Sequence, residues 1–286
     1  MTEMSANTWF GYLSKISKNI NHLKGTYVEM GFGKGITSYY ALYEMINNRI
    51  KKRNIWGFDS FKGLPTPSSK VIRNDFTILF GKKDEGVKEI SLKRKISCVS
   101  RSSHIFRYSI HHDIPITECD NEVVAKKGHL NFPLKNALDF KTYAKEEHNI
   151  NVNIVKGYFK NTIFQYEGGP IAILHLDVDL YDSYKICLEN LYDLVIPGGI
   201  IMFDEYKSTS LIRWPGATKA INEFFENKNI KIRKCHITNP YKTWKYGPLN
   251  SWKDIKLPRT PINTKISGIG TTKYIPTEKY YIYKPL

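Results

Sequence analysis

Three glycines in five residues, Gly31, Gly33 and Gly35, follow a short apolar run and precede a longer stretch of helical periodicity, and this order leaves the chain few folds. Residues 25–30 read as a short buried strand, and 36–50 carry apolar side chains at the spacing of a helix. Glycines at such a junction let the backbone turn sharply and approach a ligand, while the following helix offers its unpaired N–H groups. The segment is therefore the first βα unit of an α/β fold, with a ligand position built into its turn.

The order repeats downstream. A second strand is expected at 54–58, a helix near 134–148, strands at 152–156 and 171–176, and a helix at 184–194. Pro197-Gly198-Gly199 turns the chain into a strand at 200–203, followed by a helix at 217–226 and strands at 230–236 and 280–283. Trp9, Phe10, Leu13 and Ile16 predict a helix over 1–22. Alternating strands and helices predict a doubly wound, mostly parallel seven-stranded α/β sheet, with the last two strands as an antiparallel edge hairpin. One domain over 1–286 is expected, with the basic, irregular stretch 70–130 as an insertion and 241–275 as a lid or loop.

Composition narrows the class. The four cysteines, at 98, 119, 187 and 235, form no CxxC pair, so neither a zinc knuckle nor a disulfide framework is suggested, which fits a reducing cytoplasm. No apolar run approaches the ~20 residues of a membrane span, and the first residues lack the layout of a secretory signal. The formal charge of +16 would attract polyanions, but the lysines are scattered as on an ordinary solvated surface. A nucleic-acid partner is accordingly disfavoured.

In an open parallel sheet the ligand lies beyond the carboxyl ends of the strands, so polar residues just after each strand are the candidates. Glu29 precedes the glycine turn; a carboxylate there would repel a pyrophosphate and hold an ammonium such as that of a methionine moiety. The turn also misses the dinucleotide spacing G-x-G-x-x-G, because Ile36 follows Gly35. Asp59 ends the next strand, where a carboxylate can accept hydrogen bonds from vicinal ribose hydroxyls. Asp177, Asp179 and Asp182 follow the most apolar strand, and Asp204-Glu205 follow the next. Two acidic clusters at adjoining strand ends suit a hard divalent ion such as Mg²⁺, although Asp182 could simply cap a helix at Tyr184. Phe32, Trp56, Phe58, Tyr158 and Phe159 could line an adenine site but read first as core, and His111-His112 read as loop rather than metal ligands.

These blocks resemble the macrocin-type sugar O-methyltransferases, a magnesium-dependent branch of the class I S-adenosylmethionine-dependent methyltransferases that is also similar to catechol O-methyltransferase. The resemblance lies in residues 28–35, in the F-D-S-F-x-G-L-P block from Phe58, in 155–162, in the L-D-x-D-x-Y-x-S block from Leu176, and in 198–206. It implies a Rossmann-like methyltransferase fold in which Glu29, Gly31, Gly33, Gly35, Asp59, Ser60, Gly157 and Tyr158 bind S-adenosyl-L-methionine and Asp177, Asp204 and Glu205 bind Mg²⁺. The lysine base of the catechol branch is absent, since Leu180 stands at that spacing and the next lysine is Lys185. Asp177 or Asp179, or a histidine of the insertion, is left to take the proton from a metal-acidified hydroxyl.

The expected activity is O-methylation of a hydroxyl on a sugar, glycan, nucleotide sugar or natural product, with an anionic acceptor favoured by the basic surface and homo-oligomerisation compatible with the sequence. The alternatives are a nucleic-acid methyltransferase, which would not need the acidic cage, a non-catalytic binding module that keeps the fold, and a nicotinamide-dependent oxidoreductase, which Glu29 and the glycine spacing disfavour.

Overall fold

Side chains along the central strands alternate between two apolar layers, and this division sets the architecture. Val28, Met30, Leu174, Leu176, Ile201 and Phe203 face one layer; Tyr27, Ile173, Ile200 and Met202 face the other. Both faces are covered by helices, which is why residues 171–176 read as a nearly unbroken apolar run instead of alternating with polar residues. The computed structural model describes residues 4–6, 15, 17–65, 77–78, 128, 130–207, 212–213, 215–237 and 277–286.

In chain order the elements are β1 (Met4–Ala6), β2 (Thr26–Met30), α1 (Ile36–Ile46), β3 (Ile55–Asp59), β4 (Thr77–Ile78), α2 (Leu134–His148), β5 (Val152–Lys156) and the one-turn α3 (Phe159–Thr162). Then follow β6 (Ile171–Leu176), α4 (Tyr181–Leu191), β7 (Val195–Phe203), β8 (Ile212–Arg213), α5 (Pro215–Phe225), β9 (Arg233–Ile237) and β10 (Thr277–Tyr283). The main sheet runs β1-β9-β10-β7-β6-β2-β3-β5. Every neighbouring pair is parallel except those made by β10, which is antiparallel to both β7 and β9. Helices α1 and α2 pack on the layer of Tyr27 and Ile173, and α4 and α5 on the layer of Val28 and Leu174.

All seven strands expected from the sequence are present, and β9 and β10 form the expected antiparallel pair. Several details differ. Within the 1–22 segment expected to be helical, Lys15, Ser17 and Lys18 are helical, but Met4–Ala6 form an eighth strand, β1, pairing with the outer edge of β9 and satisfying backbone groups that the edge would otherwise expose. Trp9, Phe10, Leu13 and Ile16 lie outside the described residues. Pro197-Gly198-Gly199 is an irregularity inside β7 and not a turn ahead of it: Ile171 pairs with Val195 and Ile173 already with Ile200. Helix α1 stops at Ile46 because Asn47 caps it and Asn48 takes φ +54, bringing the Arg49 and Ile50 N–H groups to the Glu44 carbonyl. Helix α4 starts at Tyr181, with Leu180 as its N-cap, so Asp182 lies in the first turn rather than capping it.

Most of the expected insertion over 70–130, the 241–275 segment, Cys98, Cys119, His111 and His112 lie outside the described residues. Two features border the insertion. The Gly128 N–H donates to the Leu64 carbonyl at 2.9 Å, and β4 pairs antiparallel with β8, beyond the end of β7. No helix among the described residues is long and apolar enough to cross a membrane.

Candidate active site

The glycine turn lies directly on the end of β6. Gly31 has φ +86, and a Cβ there would stand 1.7 Å from the Asp177 carbonyl oxygen, so only glycine fits. The Asp177 N–H donates to the Met30 carbonyl at 3.0 Å, while the Gly31 and Phe32 N–H groups both donate to the Phe58 carbonyl. The Phe32 ring turns inward against Gly57, where a Cβ would come within 2.1 Å of it. Gly33 and Gly35 have φ +53 and +76, and Gly35 is the N-cap of α1. That helix has no side-chain cap and no acidic residue in its first turn, so its N–H groups are left for a ligand.

Asp59 joins three strand ends. Its Oδ2 accepts the Gly33 N–H at 2.8 Å and its Oδ1 the Phe61 N–H at 2.6 Å. Burial raises the carboxyl above the usual range, while those two hydrogen bonds oppose the shift. The Gly157 N–H donates to the Asp59 carbonyl at 2.8 Å, and Tyr158 follows as the N-cap of α3. Gly33, Asp59, Gly157 and Tyr158 therefore adjoin, in keeping with their places after the strands. Ser60 has a different part: its Oγ donates to the Gly63 carbonyl at 2.7 Å and accepts the Lys62 N–H at 3.0 Å, so it fastens the loop instead of opening to a ligand.

Glu29 faces inward. The strand period points it into the α1 layer, where it is 1 % exposed; Ser38 Oγ donates to its Oε2, and His175 Nδ1 lies 3.6 Å from its Oε1. It supports the turn from beneath, through a serine on the next helix. His175, also buried, comes 3.9 Å from Asp204 Oδ1 through Nε2. Burial would lower the imidazole, but the neighbouring carboxylates of Asp204 and Glu29 and the charge of Asp177 push it up to about 9. Lys279 Nζ reaches the same Asp204 Oδ1 at 2.5 Å and the Asp204 carbonyl at 3.0 Å. Burial works against the Asp204 carboxylate, yet Lys279 and His175 hold it well below the ordinary range. Glu29, His175, Asp204 and Lys279 thus form a row across β2, β6, the end of β7 and β10.

Beside that row lies an acidic cluster. Asp177, Asp179 and Glu205 each turn one carboxylate oxygen to a common point, the three within 4.8 Å of one another. The expected set was Asp177, Asp204 and Glu205; Asp179 joins the cluster, and Asp204 faces Lys279 and His175. Asp179 is held at φ +59, with the Leu180 N–H donating to the Val178 carbonyl across it at 2.6 Å, a strained turn of the kind found at functional sites. Its own N–H donates to Glu205 Oε2 at 3.4 Å. Tyr184 supports the cluster from below, its hydroxyl 2.5 Å from Glu205 Oε2 and 2.9 Å from the Leu176 carbonyl. Burial pushes the Asp177 carboxyl up to about 7, with the nearby Asp204 charge adding to the shift; burial, then the charges of Asp177 and Asp204, raise Glu205 as well. Three hard oxygen donors in a partly enclosed, self-repelling group fit a divalent cation of the Mg²⁺ type.

His175, Tyr184 and Lys279 are site residues that the sequence did not single out. A histidine inside an apolar strand was a legible signal; nothing local marks Lys279, which meets Asp204 only because β10 inserts beside β7. Phe32 and Phe58 are fully buried core, as expected.

The same architecture occurs in solved structures. The O-methyltransferase NovP superposes with a TM-score of 0.51 at 18% identity, covering 78% of this chain and 74% of that one. CalS11, a calicheamicin methyltransferase, gives 0.50 at 18% identity, covering 78% and 73%. This chain has the methyltransferase fold. Residues 120–245 match the macrocin-O-methyltransferase (TylF) family model, a part of the methyltransferase fold that holds Gly157, Asp177, Asp179, Asp204 and Glu205 but not the glycine turn or Asp59. A tetracenomycin rhamnosyl 4'-O-methyltransferase of Streptomyces olivaceus is 40% identical over 55 residues, 19% of this chain and 21% of that protein. Demethyldecarbamoylnovobiocin O-methyltransferase of Streptomyces niveus is 24% identical over 204 residues, 71% of this chain and 59% of that protein. The chain therefore spans less than two thirds of the length of either relative.

Proposed function

We propose that this protein is an S-adenosylmethionine-dependent O-methyltransferase that uses a divalent cation and acts on a hydroxyl of a sugar, glycan, nucleotide sugar or related natural product. The observation that carries this reading is the contact of Gly31 with Asp177, which sets the ligand-binding turn of β2 against the acidic cluster of β6 and β7. The relatives named above, which by their names O-methylate a rhamnosyl-tetracenomycin and demethyldecarbamoylnovobiocin, support a small hydroxylated acceptor.

The glycine turn and the uncapped start of α1 receive the methionine end of the cofactor, and Asp59, with Gly157 and Tyr158 beside it, receives the ribose. S-adenosylmethionine, when bound, supplies an electrophilic methyl group on a sulfonium. A divalent cation at the acidic cluster supplies Lewis acidity toward the acceptor hydroxyl. Asp177, Asp179 and Glu205 would hold that cation through one carboxylate oxygen each, and the second oxygen of Asp179, presented by its strained turn, or of Asp177 would take the proton. The acceptor oxygen forms the new O–C bond as the S–C bond breaks, the electron pair staying on sulfur and the proton passing to the carboxylate.

The segment 70–130 shapes the acceptor side. Its borders support this, since Leu64 and Gly128 meet beside the Asp59 loop and β4 pairs beyond β7. The formal charge of +16 favours an anionic acceptor such as a nucleotide sugar.

Calorimetric titration of S-adenosylmethionine, with and without Mg²⁺, tests the reading on the native protein and on Asp59→Ala. Binding by the native protein that weakens about tenfold or more in the variant, ~1.4 kcal/mol, is expected. No binding under either condition overturns it.

A further inference from the structure

Several buried polar groups and exposed side chains have a settled place in the fold. Arg53 donates to the carbonyls of Ile20, Leu23 and Gly25 and is a structural tie. Phe164 is exposed with nothing to indicate what would cover it. Lys135 and Lys219 pair with carboxylates one turn along their own helices. Lys34 differs from these. It is the basic residue of the glycine turn, and among the described residues its ammonium meets the Phe132 ring and no carboxylate.

We propose that Lys34 binds the carboxylate at the methionine end of the cofactor and so selects S-adenosylmethionine by its amino-acid group. The proposal rests on the cofactor reading above. Lys34 immediately precedes Gly35, the N-cap of α1, and that helix has no acidic residue in its first turn. A cation beside the positive end of a helix is unfavourable by itself and becomes favourable once an anion lies next to both. The turn's own carboxylates do not supply that anion. Glu29 is buried beneath the turn with Ser38, and Asp59 directs its two oxygens to the Gly33 and Phe61 N–H groups. Phe132, just ahead of α2, keeps the ammonium in place. Lys34 Nζ stands 5.2 Å from the centroid of that ring, and a Cβ on Gly33 would come within 3.3 Å of the same ring. The ring therefore lies against the turn, shields one side of the ammonium from water, and fixes by the attraction of its face the direction of a long side chain. A carboxylate arriving at the turn accepts a charge-assisted hydrogen bond from this ammonium.

Decarboxylated S-adenosylmethionine keeps the adenosine, the sulfonium and the ammonium and lacks only the carboxylate, so comparing the two ligands isolates this contact. Calorimetric titration of both is carried out on the native protein, Lys34→Met and Phe132→Leu. The native protein is expected to prefer S-adenosylmethionine by about tenfold or more. Lys34→Met is expected to lose most of that preference, weakening for S-adenosylmethionine while its affinity for the decarboxylated ligand stays within about threefold of native. Phe132→Leu is expected to reduce the preference about threefold, and an unchanged preference there overturns the part given to the ring. A Lys34→Met that keeps the native preference, or weakens for both ligands alike, overturns the assignment; the first result would turn the ammonium toward an anionic group of the acceptor instead. If Lys34→Met does not fold, as judged by circular dichroism, Lys34→Gln takes its place. Equal binding of both ligands by the native protein overturns this inference alone, whereas binding of neither overturns the cofactor reading along with it.

Discussion

Asp59 Oδ2 accepts the Gly33 N–H at 2.8 Å, so one carboxylate fastens the end of β3 to the turn that leaves β2. Its other oxygen accepts the Phe61 N–H. Asp59→Asn keeps one carbonyl acceptor, whereas Asp59→Ala removes both. We expect the asparagine variant to lose about 1 kcal/mol of stability and the alanine variant about 2 kcal/mol, by urea denaturation. Equal stability of all three proteins would show that the carboxylate does not organise the turn.

Gly31 and Gly33 should respond differently to alanine, although both have positive φ. At Gly31 a methyl group would meet the Asp177 carbonyl oxygen at 1.7 Å; at Gly33 the nearest atoms are those of the Phe132 ring at 3.3 Å. Gly31→Ala is expected to cost about 3 kcal/mol or more, because backbone must move, and Gly33→Ala about 1 kcal/mol, from the positive φ and a tight contact that a small shift of the Phe132 ring relieves. Similar denaturation midpoints for the two variants would contradict the close approach of β2 and β6.

Cation binding at Asp177, Asp179 and Glu205 should stabilise the fold by mass action. Mg²⁺ at a hundredfold excess over its dissociation constant adds about 2.7 kcal/mol, and EDTA removes the gain. Native protein should melt at a higher temperature with Mg²⁺, while Asp177→Asn and Glu205→Gln should show little or no shift. A shift of native size in both variants would place the ion elsewhere.

Cys187 and Cys235 are buried thiols, and burial pushes both upward, Cys235 to about 12. The thiolate is the reactive form, so at pH 8.5 the fraction available at Cys235 is about a thousandfold below that of an ordinary cysteine. Neither residue should be alkylated by iodoacetamide in the folded protein, and both should be in urea, as mapped by mass spectrometry. Reactivity should rise only as the pH approaches 12 or the fold opens. Rapid labelling of either cysteine in the native protein at pH 8.5 would contradict the burial.

The glycine turn, Asp59 and the acidic residues after β6 and β7 were legible in the sequence because each depends on local order: an apolar strand, then a polar residue at its carboxyl end. Helix α2 and strands β5 and β6 were legible to the residue for the same reason. Glu29 stands at the expected strand end, but its contacts within the protein were not legible. Period-two alternation sends its side chain into the α1 layer, and Ser38 lies there to receive it. Asp182 was open to misreading as a cap because helix propensity does not mark the first turn sharply.

Local patterning determined the α/β class, the seven expected strands and the strand ends at which the candidate site residues stand, since burial on two faces and the turn chemistry of glycine act over a few residues. The tertiary structure alone decided which carboxylates meet. Asp179 converges with Asp177 and Glu205 because of a strained turn, and Asp204 is drawn aside because β10, 75 residues away in sequence, enters the sheet beside β7 and brings an ammonium with it. Ion pairs form between groups that are near in space, and a spacing along one strand carries no information about the strand that will lie next to it.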